Sequence, residues 1–144
     1  MTELFIGSDH AGFDLKNKIK TFLQDKFKIT DLGTYSQESC DYPVYSELVA
    51  KRVQENASHL GILICGSGIG VSLVANRFKN IRAARCVSLL DAQLAKEHNN
   101  ANVLCLGARI NSWEEHCAMI ELWLSSQFES RHQKRLDLFS DKGL

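Results

Sequence analysis

Cys65 stands directly before Gly66-Ser67-Gly68-Ile69-Gly70, so a thiol sits at the mouth of a glycine-rich turn. Glycines at 66, 68 and 70 let several backbone N–H groups point inward, and a helix starting after the turn adds its positive end. Such a turn receives an anion and favours the thiolate of a cysteine beside it. Other uses of a glycine turn fail on spacing. Dinucleotide binding wants GxGxxG, whereas the pattern here is GxGxG, and a triphosphate loop wants a Gly-Lys-Ser/Thr that is absent. A cysteine phosphatase closes its cradle with an arginine six residues after the nucleophile, where this chain has Val71. A functional thiol beside an anion receptor remains, set against the plainer reading of a buried structural cysteine and close helix–strand packing.

Other residues carry a charge or a titratable ring. Asp9 and His10 end the first apolar run, where a carboxylate and an imidazole can bind hydroxyls and relay protons. Asp9 could equally cap a helix starting near Gly12. His98-Asn99 precedes the fifth apolar run and Arg109 follows it; alone, each is an ordinary surface residue. Arg131 and Arg135 lie four apart, so on one helix they share a face and could clamp a phosphate, or simply form a solvated charged face. No His/Asp/Glu cluster at metal-ligand spacing is expected, and with it no metal or other cofactor.

The elements that must hold these residues alternate strand and helix. Strands are expected at Leu4–Ile6, Ile29–Leu32, Gly61–Cys65, Ala83–Val87 and Val103–Leu106. Helices are expected over Phe13–Phe27, from Pro43 to Glu55, from the glycine turn to Arg77, and over Asp91–His98, Trp113–Ser125 and Glu129–Phe139. This alternation predicts one α/β domain over residues 1–144, a Rossmann-like doubly wound parallel sheet of order 2-1-3-4-5 with helices on both faces and a further C-terminal helix. Ligands of such sheets bind beyond the carboxyl ends of the strands where the order reverses, which selects the loops after the first and third strands. Those are the loops holding Asp9-His10 and Cys65–Gly70.

Bulk properties agree. The 17 Lys and Arg residues match the 17 Asp and Glu residues, which gives no support to nucleic acid or a membrane surface as a partner held by bulk charge. Apolar residues at 44% suffice for a real core. The five cysteines include no CxxC pair, so buried free thiols in a reducing compartment are expected for those other than Cys65. Met1-Thr2-Glu3 lacks the basic and apolar segments of a signal peptide, and a cytoplasmic location is expected.

Taken in order, Gly7-Ser8-Asp9-His10-Ala11-Gly12-Phe13, Asp31-Leu32-Gly33-Thr34, Asp41-Tyr42-Pro43, Ile64–Gly70, Ala75-Asn76-Arg77, Ile81-Arg82-Ala83, His98-Asn99, Asn102-Val103-Leu104, Gly107-Ala108-Arg109 and Arg131-His132-Gln133-Lys134-Arg135 resemble the B-type ribose-5-phosphate isomerases nearly end to end. The resemblance implies a metal-free, homodimeric aldose–ketose isomerase of the non-oxidative pentose phosphate pathway, and leaves open whether dimers pair into tetramers. Its active sites would lie near the subunit interface.

By the same resemblance Cys65 is the base, Ser67 assists proton transfer, His98 helps open the furanose and Asp9 contacts the ring oxygen or hydroxyls. Backbone groups of Gly66, Ser67, Gly68, Ile69 and Gly70, with Asn99, would hold the enediolate. His10, Arg109, Arg131 and Arg135 would bind substrate, chiefly its phosphate, some of them from the partner subunit. A family branch without the cysteine carries a glutamate at the position of Val71, so this chain is of the cysteine type. Ser8 departs from the cysteine found in many members, away from the chemistry. A galactose-6-phosphate isomerase subunit, a side activity on allose 6-phosphate, and a non-catalytic sugar-phosphate binding module are the rival readings.

Overall fold

Short β-rich runs separated by amphipathic stretches build a sheet with two covered faces. The computed structural model describes residues 1–144. The chain runs β1 (Glu3–Ser8), a 3₁₀ turn (His10–Gly12), α1 (Phe13–Leu23), β2 (Lys28–Asp31), α2 (Tyr42–Gln54), β3 (Leu60–Cys65) and α3 (Ile69–Ala75). It continues through β4 (Ala83–Arg85), α4 (Leu89–Glu97), β5 (Val103–Gly107), α5 (Trp113–Ser125), a second 3₁₀ turn (Ser130–His132) and α6 (Gln133–Asp137). The class is as expected, a five-stranded parallel sheet with helices on both faces.

The strand order is β2-β1-β3-β5-β4, not the expected 2-1-3-4-5. Burial explains the exchange. Every residue of β5 is buried, and this strand pairs with β3 through Gly61↔Val103 to Cys65↔Gly107. β4 has only three residues, Ala-Ala-Arg, none of them buried, and a short strand ending in a charge belongs at a sheet edge. The reversal between β1 and β3 survives the exchange, so the predicted crevice keeps its place.

Side chains of the central strands alternate between two cores. Leu4, Ile6, Ile62, Ile64, Leu104 and Leu106 pack with Ile19 of α1, Ala92 and Ala95 of α4, and Met119, Ile120 and Trp123 of α5. Phe5, Leu63, Cys65, Val103 and Cys105 face the other way, onto Val49, Ala50 and Val53 of α2 and Val71 and Ala75 of α3. Fully burying one such side chain stabilises by about 1.5–3 kcal/mol. Trp123 also donates its ring N–H to Ala101 O at 3.0 Å. α5 spans the expected residues and begins in a capping box between Ser112 and Glu115.

Several details differ from expectation, among them two helices and the burial of two cysteines. α1 stops at Leu23 because the chain turns there into β2, with the N–H groups of Lys26 and Phe27 both donating to Leu23 O. The predicted helix over Glu129–Phe139 is broken into a 3₁₀ turn and the five-residue α6, separated by a tightening of the backbone at His132–Gln133. Of the cysteines expected to be buried, Cys86 and Cys105 are, whereas Cys40 and Cys117 are half-exposed.

Hydrogen bonds tie the carboxyl ends of the strands together. Ser8 N–H donates to Gly33 O and Thr34 N–H to Ser8 O, both at 2.8 Å. Asp9 N–H donates to Ile64 O at 3.3 Å and Ala108 N–H to Cys65 O at 2.9 Å. Lys16, fully buried, donates to Asp31 Oδ1 and Thr34 O at 2.6 Å each and so anchors the turn beside β1. Burial holds the Lys16 ammonium below its ordinary range, against the opposing pull of Asp31. Burial also pushes the Asp31 carboxyl up, but hydrogen bonds from Lys16, Lys20 and Gly33 outweigh it and leave that carboxyl low.

Candidate active site

β3 delivers Cys65 to the floor of a cleft of about 590 Å³ lined by Asp9, Tyr42, Ser67, Gly70 and Arg109 among others. Cys65 is only 4% exposed, and Gly68 N–H donates to its Sγ at 3.1 Å. Gly68 turns with φ at 80°, and a Cβ there would lie 2.9 Å from the Leu106 carbonyl carbon. Glycine is therefore required for the turn and for the approach of β5. The close packing of this glycine is also what aims its amide at the Cys65 sulfur. Ser67 Oγ accepts from Ile69 N–H at 3.1 Å, and Arg85 Nε donates to Ser67 O at 2.9 Å.

Asp9 combines its two expected readings. Its Oδ1 accepts from Ala11 N–H at 3.0 Å and Gly12 N–H at 3.2 Å, capping the turn, while the residue still lines the cleft. The exposed Arg109 guanidinium lies over Gly66, with Nη1 3.0 Å from where a Cβ would be. His10 is tied to another loop: its Nδ1 accepts from Cys40 N–H at 3.2 Å, and it is not among the residues lining the cleft within one chain. Burial with Asp91 nearby pushes the Cys86 thiol up to about 12, and burial pushes Cys105 well above the usual thiol range. Neither of these cysteines reaches the cleft.

The remaining predicted residues form a second group. His98 ends α4, and its ring packs on that of His132 with centroids 4.5 Å apart. Arg131 Nη2 donates to Glu129 Oε1 at 2.8 Å, and Arg135 Nη1 donates to His132 Nδ1 at 2.9 Å. Asn99 is exposed. Topology separates this group from Cys65. α4 runs back from the carboxyl edge of the sheet, so His98-Asn99 lies at the edge where β5 begins, whereas Cys65 pairs with Gly107 where β5 ends. Four residues of strand rise separate Val103 from Gly107, roughly 13 Å. One chain does not bring His98, Asn99, Arg131 and Arg135 to its own Cys65 cleft.

The comparisons with known proteins fall on this geometry. The Ribose/Galactose Isomerase family model matches residues 4–139. The chain belongs to that family. It is 41% identical over 139 residues to ribose-5-phosphate isomerase B of Escherichia coli strain K12, covering 95% of this chain and 93% of that protein. The crystal structure of ribose-5-phosphate isomerase B from Mycoplasma genitalium with bound ribulose-5-phosphate superposes with a TM-score of 0.91 at 44% identity, over 94% of this chain and 92% of that one. The Clostridium thermocellum ribose-5-phosphate isomerase B gives a TM-score of 0.92 at 38% identity, over 96% and 95% of the two chains. No helix is long and apolar enough to cross a membrane.

Within this family framework, residue-by-residue reading of the sequence missed two features. Tyr42 lines the cleft, and a Cβ on Gly70 would come within 2.5 Å of its ring. Its signal was the Asp41-Tyr42-Pro43 segment, which the search for reactive side chains passed over. The expectation that no His/Asp/Glu cluster exists also fails: ligand atoms of His98, Glu129 and His132 all lie within 4.8 Å of one another. Glu129 and His132 are three apart in sequence, and the fold adds His98 from a distant segment.

Proposed function

We propose that the chain is a ribose-5-phosphate isomerase, interconverting ribose 5-phosphate and ribulose 5-phosphate through an enediolate. The observation that carries this reading is Cys65 on the floor of the cleft with a backbone amide on its sulfur, in a chain 44% identical to an isomerase with bound ribulose-5-phosphate. A base there can take the proton from C2 of the open aldose. The electron pair forms the C1–C2 double bond, and the C1 carbonyl oxygen becomes an oxyanion beside the glycine turn. Backbone donors of Gly66–Gly70 stabilise that charge where it develops, and the Ser67 hydroxyl carries a proton between the two oxygens. Return of the proton from Cys65 to C1 completes a ketose, with no external oxidant or reductant.

His98 serves the preceding step, opening the furanose by moving a proton between the anomeric hydroxyl and the ring oxygen. Asp9 orients the hydroxyls near the ring, and Asn99 adds a donor toward the enediolate. Arg109, Arg131, Arg135 and His10 serve substrate binding, chiefly at the phosphate. Since His98 and the paired arginines lie at the opposite sheet edge from Cys65, the complete site joins two subunits of a homodimer. The exposed apolar side chains at the cleft, Tyr42, Ile69, Leu73 and Ile110, support burial of this rim by a second copy. The enzyme so described is cytoplasmic and needs no cofactor for the chemistry. Initial rates on ribose 5-phosphate and galactose 6-phosphate test it: the pentose should be the faster substrate, and Cys65→Ala should be inactive. A faster hexose reaction would reassign the chain to galactose-6-phosphate isomerisation.

A further inference from the structure

The peptide that joins Ser67 to Gly68 is hydrogen-bonded at both ends. Its N–H is the Gly68 amide that donates to Cys65 Sγ at 3.1 Å, and its carbonyl oxygen accepts from Arg85 Nε at 2.9 Å. The sheet order puts these two partners on opposite sides. Cys65 ends β3, Arg85 ends β4, and β5 runs between them. The peptide lies over the end of β5, since a Cβ on Gly107 would come within 2.7 Å of the Ser67 carbonyl carbon and oxygen. Because a peptide is planar, holding its oxygen also fixes the direction of its N–H.

From this arrangement we infer that Arg85 is a positioning residue for Cys65: its guanidinium fixes and polarises the Ser67–Gly68 peptide and so strengthens the amide donor on the sulfur. A cation at the carbonyl oxygen draws electron density away from the N–H, and hydrogen bonds linked in this way reinforce one another. A stronger donor favours the sulfur in its charged form. Arg85 itself is not among the residues lining the cleft. The other titratable groups facing Cys65 are Asp9 after β1, Tyr42 of α2, Arg109 after β5 and Cys105 of β5. Asp9 repels a negative sulfur and Arg109, over Gly66, attracts it, while burial pushes the Cys105 thiol up and keeps it neutral. Arg85 is exposed, so water screens its direct field at the sulfur and the hydrogen-bonded peptide is the route that remains. Only the kinetic consequence for isomerisation rests on the function proposed above.

The test titrates the Cys65 thiol by its ultraviolet thiolate absorbance, taken as the difference between each protein and its Cys65→Ser counterpart so that the other four thiols cancel. Arg85→Leu should move this titration to higher pH by about half a unit, roughly threefold less thiolate on the acid side, with the denaturation midpoint unchanged at this exposed position. Arg85→Gln places an amide nitrogen where Arg85 has Nε, keeps the hydrogen bond without the charge, and should fall between the two. A titration that does not move in Arg85→Leu overturns the inference. Arg85→Gln shifted as far as Arg85→Leu overturns the route through the peptide. For an isomerase with Cys65 as base, the acid limb of kcat/KM should shift with the thiol, and equally from ribose 5-phosphate and from ribulose 5-phosphate. A thiol titration that moves while both acid limbs stay in place keeps the link between Arg85 and the sulfur and overturns Cys65 as the base.

Discussion

The backbone N–H of Gly68 donates to Cys65 Sγ at 3.1 Å, while the thiols of Cys86 and Cys105 sit in the two cores with no such amide. The geometry therefore separates one cysteine from the others by what surrounds its sulfur rather than by its burial. Cys65→Ala should lower isomerase activity by at least about a hundredfold, within the range by which a positioned general base contributes, and leave substrate binding largely intact. Cys86→Ala and Cys105→Ala should retain turnover and lose stability, by about 1 kcal/mol or more for the buried volume removed. Rates and denaturation midpoints on the same preparations separate these outcomes, and a loss of under tenfold for Cys65→Ala would count against its role.

A second prediction concerns acid. His116 of α5 is 1% exposed, and neither ring nitrogen has a hydrogen-bond partner. Burial holds its ring below the usual imidazole range, against the weaker opposite pull of Glu115 and Asn111. The sign follows from linkage. With the folded pKa below the unfolded value of about 6.5, the unfolded chain binds the proton more readily, so stability falls as pH drops below that value. The slope from one such group is at most about 1.4 kcal/mol per pH unit. His132 shifts the same way and adds to the slope, whereas Asp31, held low, contributes stability that is lost only under more acidic conditions. His116→Leu should therefore flatten stability against pH between about 7 and 5, measured by urea denaturation at each pH. An unchanged slope would assign the acid sensitivity to His132 or other groups.

The sequence was informative about the first of the two residue groups and silent on the separation of the second. Cys65, Ser67 and Asp9 follow strands directly, and parallel α/β topology places everything that follows a strand at one sheet edge. Continuous apolar runs in β1, β3 and β5, buried along nearly their whole length, made those strands legible. The exchange of β4 and β5 was not, since a run of apolar letters says nothing of which neighbour it pairs with; only the buried length of β5 against the Ala-Ala-Arg of β4 decides it. His98, Arg131 and Arg135 were found as residues, but their spacing could not reveal that they gather at the far edge of the sheet. Nor could it reveal that Glu129 and His132 hold the arginines in place. The packing of His98 on His132 that gathers the group joins segments about thirty residues apart, beyond any local period.

Division of labour between ring opening and proton transfer gives the third prediction. Ribose 5-phosphate is mostly a closed furanose, whereas ribulose 5-phosphate cannot form that ring through its phosphorylated C5 and arrives open. His98→Asn removes the proton carrier, and the lost contact with the His132 ring leaves the cleft around Cys65 untouched. Initial rates should fall by about 10²-fold or more from ribose 5-phosphate and by much less from ribulose 5-phosphate, while Cys65→Ala damages both directions alike. Equal losses in the two directions for His98→Asn would place His98 in proton transfer or binding instead.

The last prediction follows from the sheet edges that hold the two groups apart. If each site takes Cys65 from one subunit and His98 from the other, the Cys65→Ala and His98→Asn chains are each inactive on ribose 5-phosphate yet complementary. In a mixed dimer, one site combines the Cys65 of the His98→Asn chain with the His98 of the Cys65→Ala chain, and the other site has neither. Random pairing makes half the dimers mixed, each with one of two sites intact, so co-refolded equal mixtures should recover about a quarter of the unaltered activity. Coupling the two substitutions in one chain and mixing it equally with the unaltered protein is the control: each mixed site lacks one of the two groups, so activity should fall from the half present before exchange to the quarter kept by unaltered dimers. Size-exclusion chromatography confirms that the mixtures pair. Recovery near a quarter supports a site shared across the interface. Mixtures that pair but stay inactive would mean that a single chain must carry both residues for its own site, and the two-subunit assignment would fall.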